Sequence, residues 1–164
     1  MAIFDLKFAT LTIKGASGGS QEDVVVKLGE GNLTANIQRN MEYRLDGGTL
    51  DSVREGDEVP MEVSFEGNWE TLQTTGVQAS APCVLAALKA TGNSTNTTDT
   101  CQPACCDLVL SYAPDCAADN DQEITFSEFR YESFQMDANA GTISVSGKCM
   151  IVEPVFDPAC TGTV

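Results

Sequence analysis

Residues 33 to 70 constrain the fold more than any other part of the chain, because apolar and polar side chains alternate through two long runs. Leu33, Ala35, Ile37, Met41, Tyr43 and Leu45 share one parity, interrupted only by Arg39, while Thr34, Asn36, Gln38, Asn40, Glu42 and Arg44 occupy the other. Successive strand residues point to opposite faces, so this run predicts a half-buried strand of about thirteen residues. Val59, Met61, Val63, Phe65 and Trp69 repeat the pattern against Glu58, Glu62, Ser64, Glu66, Asn68 and Glu70. The second strand therefore buries aromatics and presents carboxylates. Both exceed the usual five or six residues, and the polar face of so long a pair needs a use. Two arrangements fit: one sheet with a solvated face, or several copies closing into a barrel whose polar faces line a common wall.

The chain has 164 residues, of which 42% are hydrophobic and 20% charged, enough for one domain that buries about 70% of its unfolded surface. No stretch approaches the length of a membrane-spanning helix, and the first twenty residues lack the basic start, apolar run and cleavage site of a secretory leader. The expectation is a chain made and kept soluble in a cytoplasm, without a membrane anchor.

The formal net charge is -15, which argues against attractive nucleic-acid binding. Residues 99 to 164 hold eleven carboxylates against Arg130 and Lys148. An acidic surface still suits one meeting with DNA, a conduit through which the polymer must slide without sticking. Histidine is absent, so the commonest general base and the Ser-His and Cys-His nucleophile pairs are missing. The sequence predicts no enzyme, no cofactor and no metal site.

Along the chain, Leu11 and Ile13 suggest a first strand and Val24 to Leu28 a second, with Gly15 to Ser20 a turn between them. Asp46 to Glu58, containing Asp46-Gly47-Gly48, reads as a loop too long for a tight hairpin, and a loop of that length in a small domain is usually functional. Ser80 caps one short helix with Pro82 in its first turn, and Val84, Leu85 and Leu88 share a face. Residues 91 to 106 are a polar, Thr-rich surface loop that carries three of the cysteines, part of a Cys-rich outer segment over 91–116. Leu108 to Tyr112 is a strand, and Ile124 to Met136 a long one whose apolar parity shifts at Phe129 and Phe134, which calls for bulges. Asp137 to Gly141 turns the chain into a last antiparallel strand through Ile143, Val145, Cys149 and Ile151. Residues 153 to 164 form a C-terminal tail.

Several motifs fall short of the chemistry they suggest. Asp119, Asp121 and Glu128 fall on ligand positions of a calcium loop, yet Ala117 and Gln122 stand where a carboxylate and a glycine are needed. Cys101, Cys105, Cys106 and Cys116 lack the paired spacing of a four-thiolate zinc site. Glu58, Glu62, Glu66 and Glu70 lie on one strand rather than across a cleft, so paired-carboxylate catalysis does not fit them. Seven cysteines in a chain without an export signal read either as buried thiols or as disulfides formed late between subunits.

The phrases RNMEYRLDGG, VREGDEVPMEVSFEG and GTISVSGKC, with LTIKGA near the start, resemble the tail tube proteins of long-tailed bacteriophages over roughly residues 5 to 152. The resemblance implies a single domain over residues 1–164: an antiparallel β-sandwich or half-barrel with one flanking helix and a long inter-strand loop, assembling as hexameric rings that stack into a tube. It implies a virion tail subunit, synthesised in the host bacterial cytoplasm, whose acidic bore passes the genome without sequence-specific binding. Its partners would be itself, a tape-measure protein, baseplate and tail-terminator proteins, and in contractile tails a sheath. Glu58, Glu62, Glu66 and Glu70 are the lumen-lining candidates. Asp46, Gly47, Gly48, Asp51, Arg54, Glu55 and Asp57 are candidates for the loop that reaches a neighbouring ring. The cysteine load departs from the family pattern, and Cys101, Cys105, Cys106, Cys116 and Cys160 are disulfide candidates. The alternative is a cysteine-rich β-sandwich binding module, monomeric or decorating a virion, that uses residues 91 to 116 as its contact loop.

Overall fold

A computed structural model describes residues 9–14, 24–26, 28, 32–68, 84–89, 102–112 and 122–157. In chain order the elements are β1 (Ala9–Lys14), β2 (Val24–Val26), β3 (Leu33–Asn36), β4 (Met41–Asp46), β5 (Thr49–Glu55), β6 (Met61–Asn68), α1 (Val84–Leu88), β7 (Cys106–Tyr112), β8 (Gln122–Asp137), β9 (Thr142–Cys149) and β10 (Val155–Asp157). Eight strands make one antiparallel sheet in the order β2-β1-β7-β8-β9-β6-β3, with β10 also on β8, while β4 and β5 pair only with each other. The architecture is mainly β and antiparallel, a half-barrel rather than a closed cylinder.

The core follows from strand parity. Leu11 and Ile13 of β1, Val24 and Val26 of β2, Met61, Val63 and Phe65 of β6, Leu108 and Leu110 of β7, and Ile143 and Val145 of β9 are all buried, and Val84 and Leu88 of α1 join them. The helix packs against β1, β2 and β8. Each such side chain contributes roughly 1.5–3 kcal/mol relative to an exposed one. Leu85, expected on the buried face of the helix, is half-buried. Ser80 and Pro82 lie outside the described residues.

Phe129 is fully buried at the centre of the sheet, opposite Cys106 of β7 on one side and Cys149 of β9 on the other. Its ring meets that of Phe65 at 6.4 Å with a 51° tilt, a favourable edge-inclined pair. It also lies over the backbone of Gly147: a Cβ there would come within 2.8 Å of Phe129 Cζ and would overlap the carbonyl oxygen of Arg130. Glycine is required at that position by close approach, not by its dihedral angles.

Both parity shifts in β8 are bulges. Residues Phe126 to Phe129 face the shorter span Leu108 to Cys106, and Glu128 takes a left-handed φ of 54° with its N–H bonded to Asp107 Oδ1 at 2.9 Å. A non-glycine residue there costs on the order of 1–2 kcal/mol, which the charge-assisted bond offsets. The second irregularity falls between Tyr131 and Ser133. The turn from β8 to β9 is held by Asp137 Oδ1, which accepts the N–H groups of Asn139 (2.8 Å) and Ala140 (3.1 Å), and it closes with Gly141 at φ 67°.

Two expectations need correction. The thirteen-residue strand is interrupted: β3 ends at Asn36, β4 begins at Met41, and only β3 pairs with β6, Leu33 facing Phe65 and Ala35 facing Val63. The segment Asp46 to Glu58 is not a long loop. Gly47 and Gly48 have φ of 58° and 85°, the two positive values that a two-residue hairpin turn needs. The chain therefore reverses at once, with Asp46 facing Thr49, and returns as β5. β10, only three residues long, has no counterpart in the sequence reading.

Among the cysteines, Cys105, Cys106 and Cys149 are buried, and Cys106 donates its S–H to the Phe129 carbonyl at 3.8 Å. Cys106 and Cys149 are free thiols on either side of Phe129. Two strand spacings separate them, roughly 9.5 Å, beyond the reach of a disulfide. Burial pushes the Cys106 thiol up to about 12, with the carboxylate of Asp107 and the neighbouring Cys105 and Cys149 adding to it. Burial, then Asp107, raises Cys149 to about 12 as well. Cys101, Cys116 and Cys160 lie outside the described residues.

Two outcomes follow. Gly147→Ala should lower stability by roughly 1–3 kcal/mol in urea titrations, whereas Gly141→Asn should be nearly neutral; equal effects would mean that the close approach of β8 to Gly147 is not limiting. The thiols retain protons in the folded chain that the unfolded chain releases above its ordinary value of 9.0. Their contribution is therefore complete below that value and falls as pH rises toward about 12, by about 1.4 kcal/mol per pH unit for each thiol. Cys149→Ala should flatten the alkaline loss of stability, and an unchanged slope would contradict this assignment.

Candidate functional site

Three surfaces stand out. No group of three or more metal-ligating side chains occurs among the described residues.

The first is the arm formed by β4 and β5. Met41 faces Glu55, Tyr43 faces Val53, and Leu45 faces Leu50 after a bulge, so Met41, Tyr43, Leu45, Leu50 and Val53 share one side. Tyr43 is 64% exposed, Leu45 65% and Leu50 70%. The other side carries an ion pair between Arg54 and Glu42. At the base Arg39 reaches Glu55 at 3.0 Å, and the Gly56 N–H donates to the Asn40 carbonyl at 2.8 Å. Exposed pairs of this kind contribute little, about 0–1 kcal/mol each, and an isolated two-stranded hairpin is marginal in water. The arm is an amphipathic ribbon whose apolar side the other described residues leave uncovered. It contains the candidates Asp46, Gly47, Gly48, Asp51, Arg54 and Glu55, with Asp57 just beyond its base. The sequence reading found these residues but missed the apolar side chains between them, although Leu50 and Val53 flank a Gly-Gly turn as a hairpin requires.

The second surface is the polar face of β3, β6, β9 and β8. Thr34, Ser64, Ser146 and Ser133 stand opposite one another in a single row across the four strands. The next row is Asn36, Glu62, Lys148 and Arg130, and on the other side Glu66, Ser144 and Gln135 align. Lys148 Nζ lies 4.0 Å from Glu62 and 3.9 Å from Glu132. Of the lumen-lining candidates, Glu62 and Glu66 share this face. Glu58 precedes β6 and lines a cleft at the base of the arm with Arg39, Asn40 and Glu55, and Glu70 lies outside the described residues. The face is thus a band of hydroxyls with carboxylates beside it and two cations, Lys148 and Arg130, among them. Ser144, Ser146 and Lys148 alternate with Ile143, Val145 and Gly147, so this composition was legible in β9 as well as in β6.

The third surface is a pair of sheet edges. β3 ends the sheet on one side. β7 pairs with β8 only as far as Phe129, so Arg130 to Asp137 have β9 on one side and no described strand on the other. At both edges the residues of core parity are incompletely covered: Leu33 and Phe134 are half-buried, Ala35 is exposed, and Met136 is 54% exposed.

No protein-family model matches the chain, and no curated protein matches it. The fold has counterparts among solved structures. It is similar to a chain from the sheath/tube terminator of an extracellular contractile injection system, PVC, in the extended state, at 11% identity and a TM-score of 0.57 over 95% of this chain and 97% of that one. It is similar also to a chain from the sheath-tube complex of that system, at 10% identity and a TM-score of 0.56 over 94% and 90%. At these identities the likeness is one of fold.

Proposed function

We propose that this chain is the structural subunit of a tail tube, in which copies join edge to edge into rings and the rings stack into a conduit. The observation that carries this reading is the pair of open edges with their half-covered apolar residues. β3, β6, β9 and β8 alternate in direction, so β3 of a second copy placed beside Arg130 to Asp137 continues the sheet as another antiparallel neighbour. That junction pairs backbone groups at both edges and covers Leu33, Ala35, Phe134 and Met136. Repeated around an axis it is a heterologous contact that closes a ring, and six copies is the number that the resemblance to phage tail tubes implies. The polar face then lines the bore. Its hydroxyl band offers no fixed charge to a passing polyanion, and beside it Glu62, Glu66 and Glu132 outweigh Lys148, which they flank, and the largely covered Arg130, a balance that suits passage of a genome without capture.

Stacking is assigned to the arm. Its apolar side gains roughly 1.5–3 kcal/mol for each large side chain that a neighbouring ring covers in full. The injection-system chains of similar fold come from sheath-tube assemblies, which supports a tail-type assembly. A tape-measure protein, a baseplate, a terminator and a contractile sheath are the partners that such a tube implies.

Negative-stain microscopy of the concentrated protein, with and without reductant, tests the reading. Hollow tubes or rings with sixfold symmetry are expected in both samples. Monodisperse monomers in the presence of a tail baseplate would instead favour the cysteine-rich binding module. Replacing Leu45 and Val53 together by aspartate should abolish tubes while shifting the unfolding free energy by less than about 0.5 kcal/mol, because neither side chain belongs to the core. Tubes that survive this double substitution would remove the arm from the stacking contact.

A further inference from the structure

The ring reading, on which this inference rests, leaves one quantity undetermined: the register at which β3 of one copy meets β8 of the next. A slip of one residue is excluded, since it would turn every apolar residue of β3 to the polar face. A slip of two is not. Asn32, Thr34 and Asn36 are interchangeable small polar residues, and Leu33 and Ala35 merely exchange places under the core. Register fixes the shear of a barrel and with it the diameter, so side-chain pattern alone would permit rings of more than one size.

Arg130 supplies a discriminating feature at the start of the open edge. Its side chain is only 21% exposed. Nε donates to the Pro103 carbonyl at 3.1 Å, Nη2 to Gln102 Oε1 at 3.1 Å, and Nη1 to the Glu128 carbonyl at 3.4 Å, with Glu128 Oε2 at 3.7 Å. The guanidinium thereby fastens the chain just before β7 against β8 where β7 ceases to pair. Residues 102–105 are not strand, and Pro103 has no N–H to offer a neighbour. The lane beside β8 is blunt at this end, and from about Tyr131 onward no described strand occupies it.

We propose that the Arg130-held segment Gln102–Pro103 is a register stop for β3 of a second copy. Antiparallel entry brings the C-terminal end of the incoming β3, Asn36, toward Arg130. The strand advances along the edge until the residues after Asn36 meet the blocked segment. Arg130 is a positioning residue in this scheme: it contacts the stop, and the stop contacts the neighbour. A planar guanidinium with donors in three directions suits the task, because it bonds the sheet backbone and the loop at once.

The test compares the parent chain with Arg130→Ala and Arg130→Lys. Hydrogen exchange on the unassembled chains reads the latch alone. In Arg130→Ala the amides of Gln102 and of residues 104–106 should exchange at least tenfold faster, while those of β6 and β9 are unchanged; unaltered exchange would show that Arg130 does not hold the segment. Class averages of assembled tubes read the register. The parent should give one diameter, Arg130→Ala a mixture, and Arg130→Lys an intermediate spread. A single parental diameter in Arg130→Ala, with exchange at these amides accelerated, would overturn the register stop and leave the ring reading intact. Absence of rings in the parent would overturn the ring reading, and the register stop with it. Should Arg130→Ala fail to fold, Arg130→Lys with Gln102→Ala carries the same comparison.

Discussion

The contact between Phe129 and the bare backbone of Gly147 is the point around which the sheet is organised. One strand, β8, runs through sixteen residues and serves two sets of neighbours, β7 and β10 along its first half and β9 along its second. A regular strand could not do both and keep its aromatic residues in one core. The left-handed residue at Glu128 resets the parity before Phe129, and the irregularity at Glu132 resets it again before Phe134. Between them the Phe129 ring lies diagonally over Gly147, where a Cβ would meet both the ring and the Arg130 carbonyl oxygen. β9 can approach because Gly147 has no side chain, and the thiols of Cys106 and Cys149 fill the space on either side. Removal of that glycine would disturb both bulges and the edge that lies beyond them.

The shape of the core was legible because parity is a local property. Leu11, Ile13, Val63, Phe65, Ile143 and Val145 fall where period-two alternation places them, and the two shifts in β8 could be read directly from Phe129 and Phe134. Alternation was less informative about what covers an apolar face. Met41, Tyr43 and Leu45 alternate as cleanly as any core residues, yet they are exposed on an arm that no other described element covers, because the pattern records that one side is apolar and not which chain meets it. Gly47-Gly48 marked the reversal, but a polar stretch on either side of it masked the strand that returned. β10 was too short to carry a period.

The candidate site was legible in part for similar reasons. Counting carboxylates along one strand suggested an acidic wall, whereas a wall is made of rows that cross strands. Read crosswise, Thr34, Ser64, Ser146 and Ser133 form an uncharged band and Lys148 sits between Glu62 and Glu132. None of this is visible without the register of four strands, three of them distant in sequence. Arg130 was counted only as one of few cations in an acidic half, and its bonds to Gln102 and Pro103 depend on how β7 enters the sheet.

None of the apolar side chains of the arm belongs to the core cluster, so folding and the proposed stacking of rings draw on separate sets of residues. Assembled as proposed, such a chain polymerises as a threshold process. Below a critical concentration the exposed ribbons remain solvated, and above it growth proceeds fastest from an end that already presents a matching surface. Length becomes a matter of nucleation and supply, set by whatever offers the first such surface, and not of any property that a single copy carries.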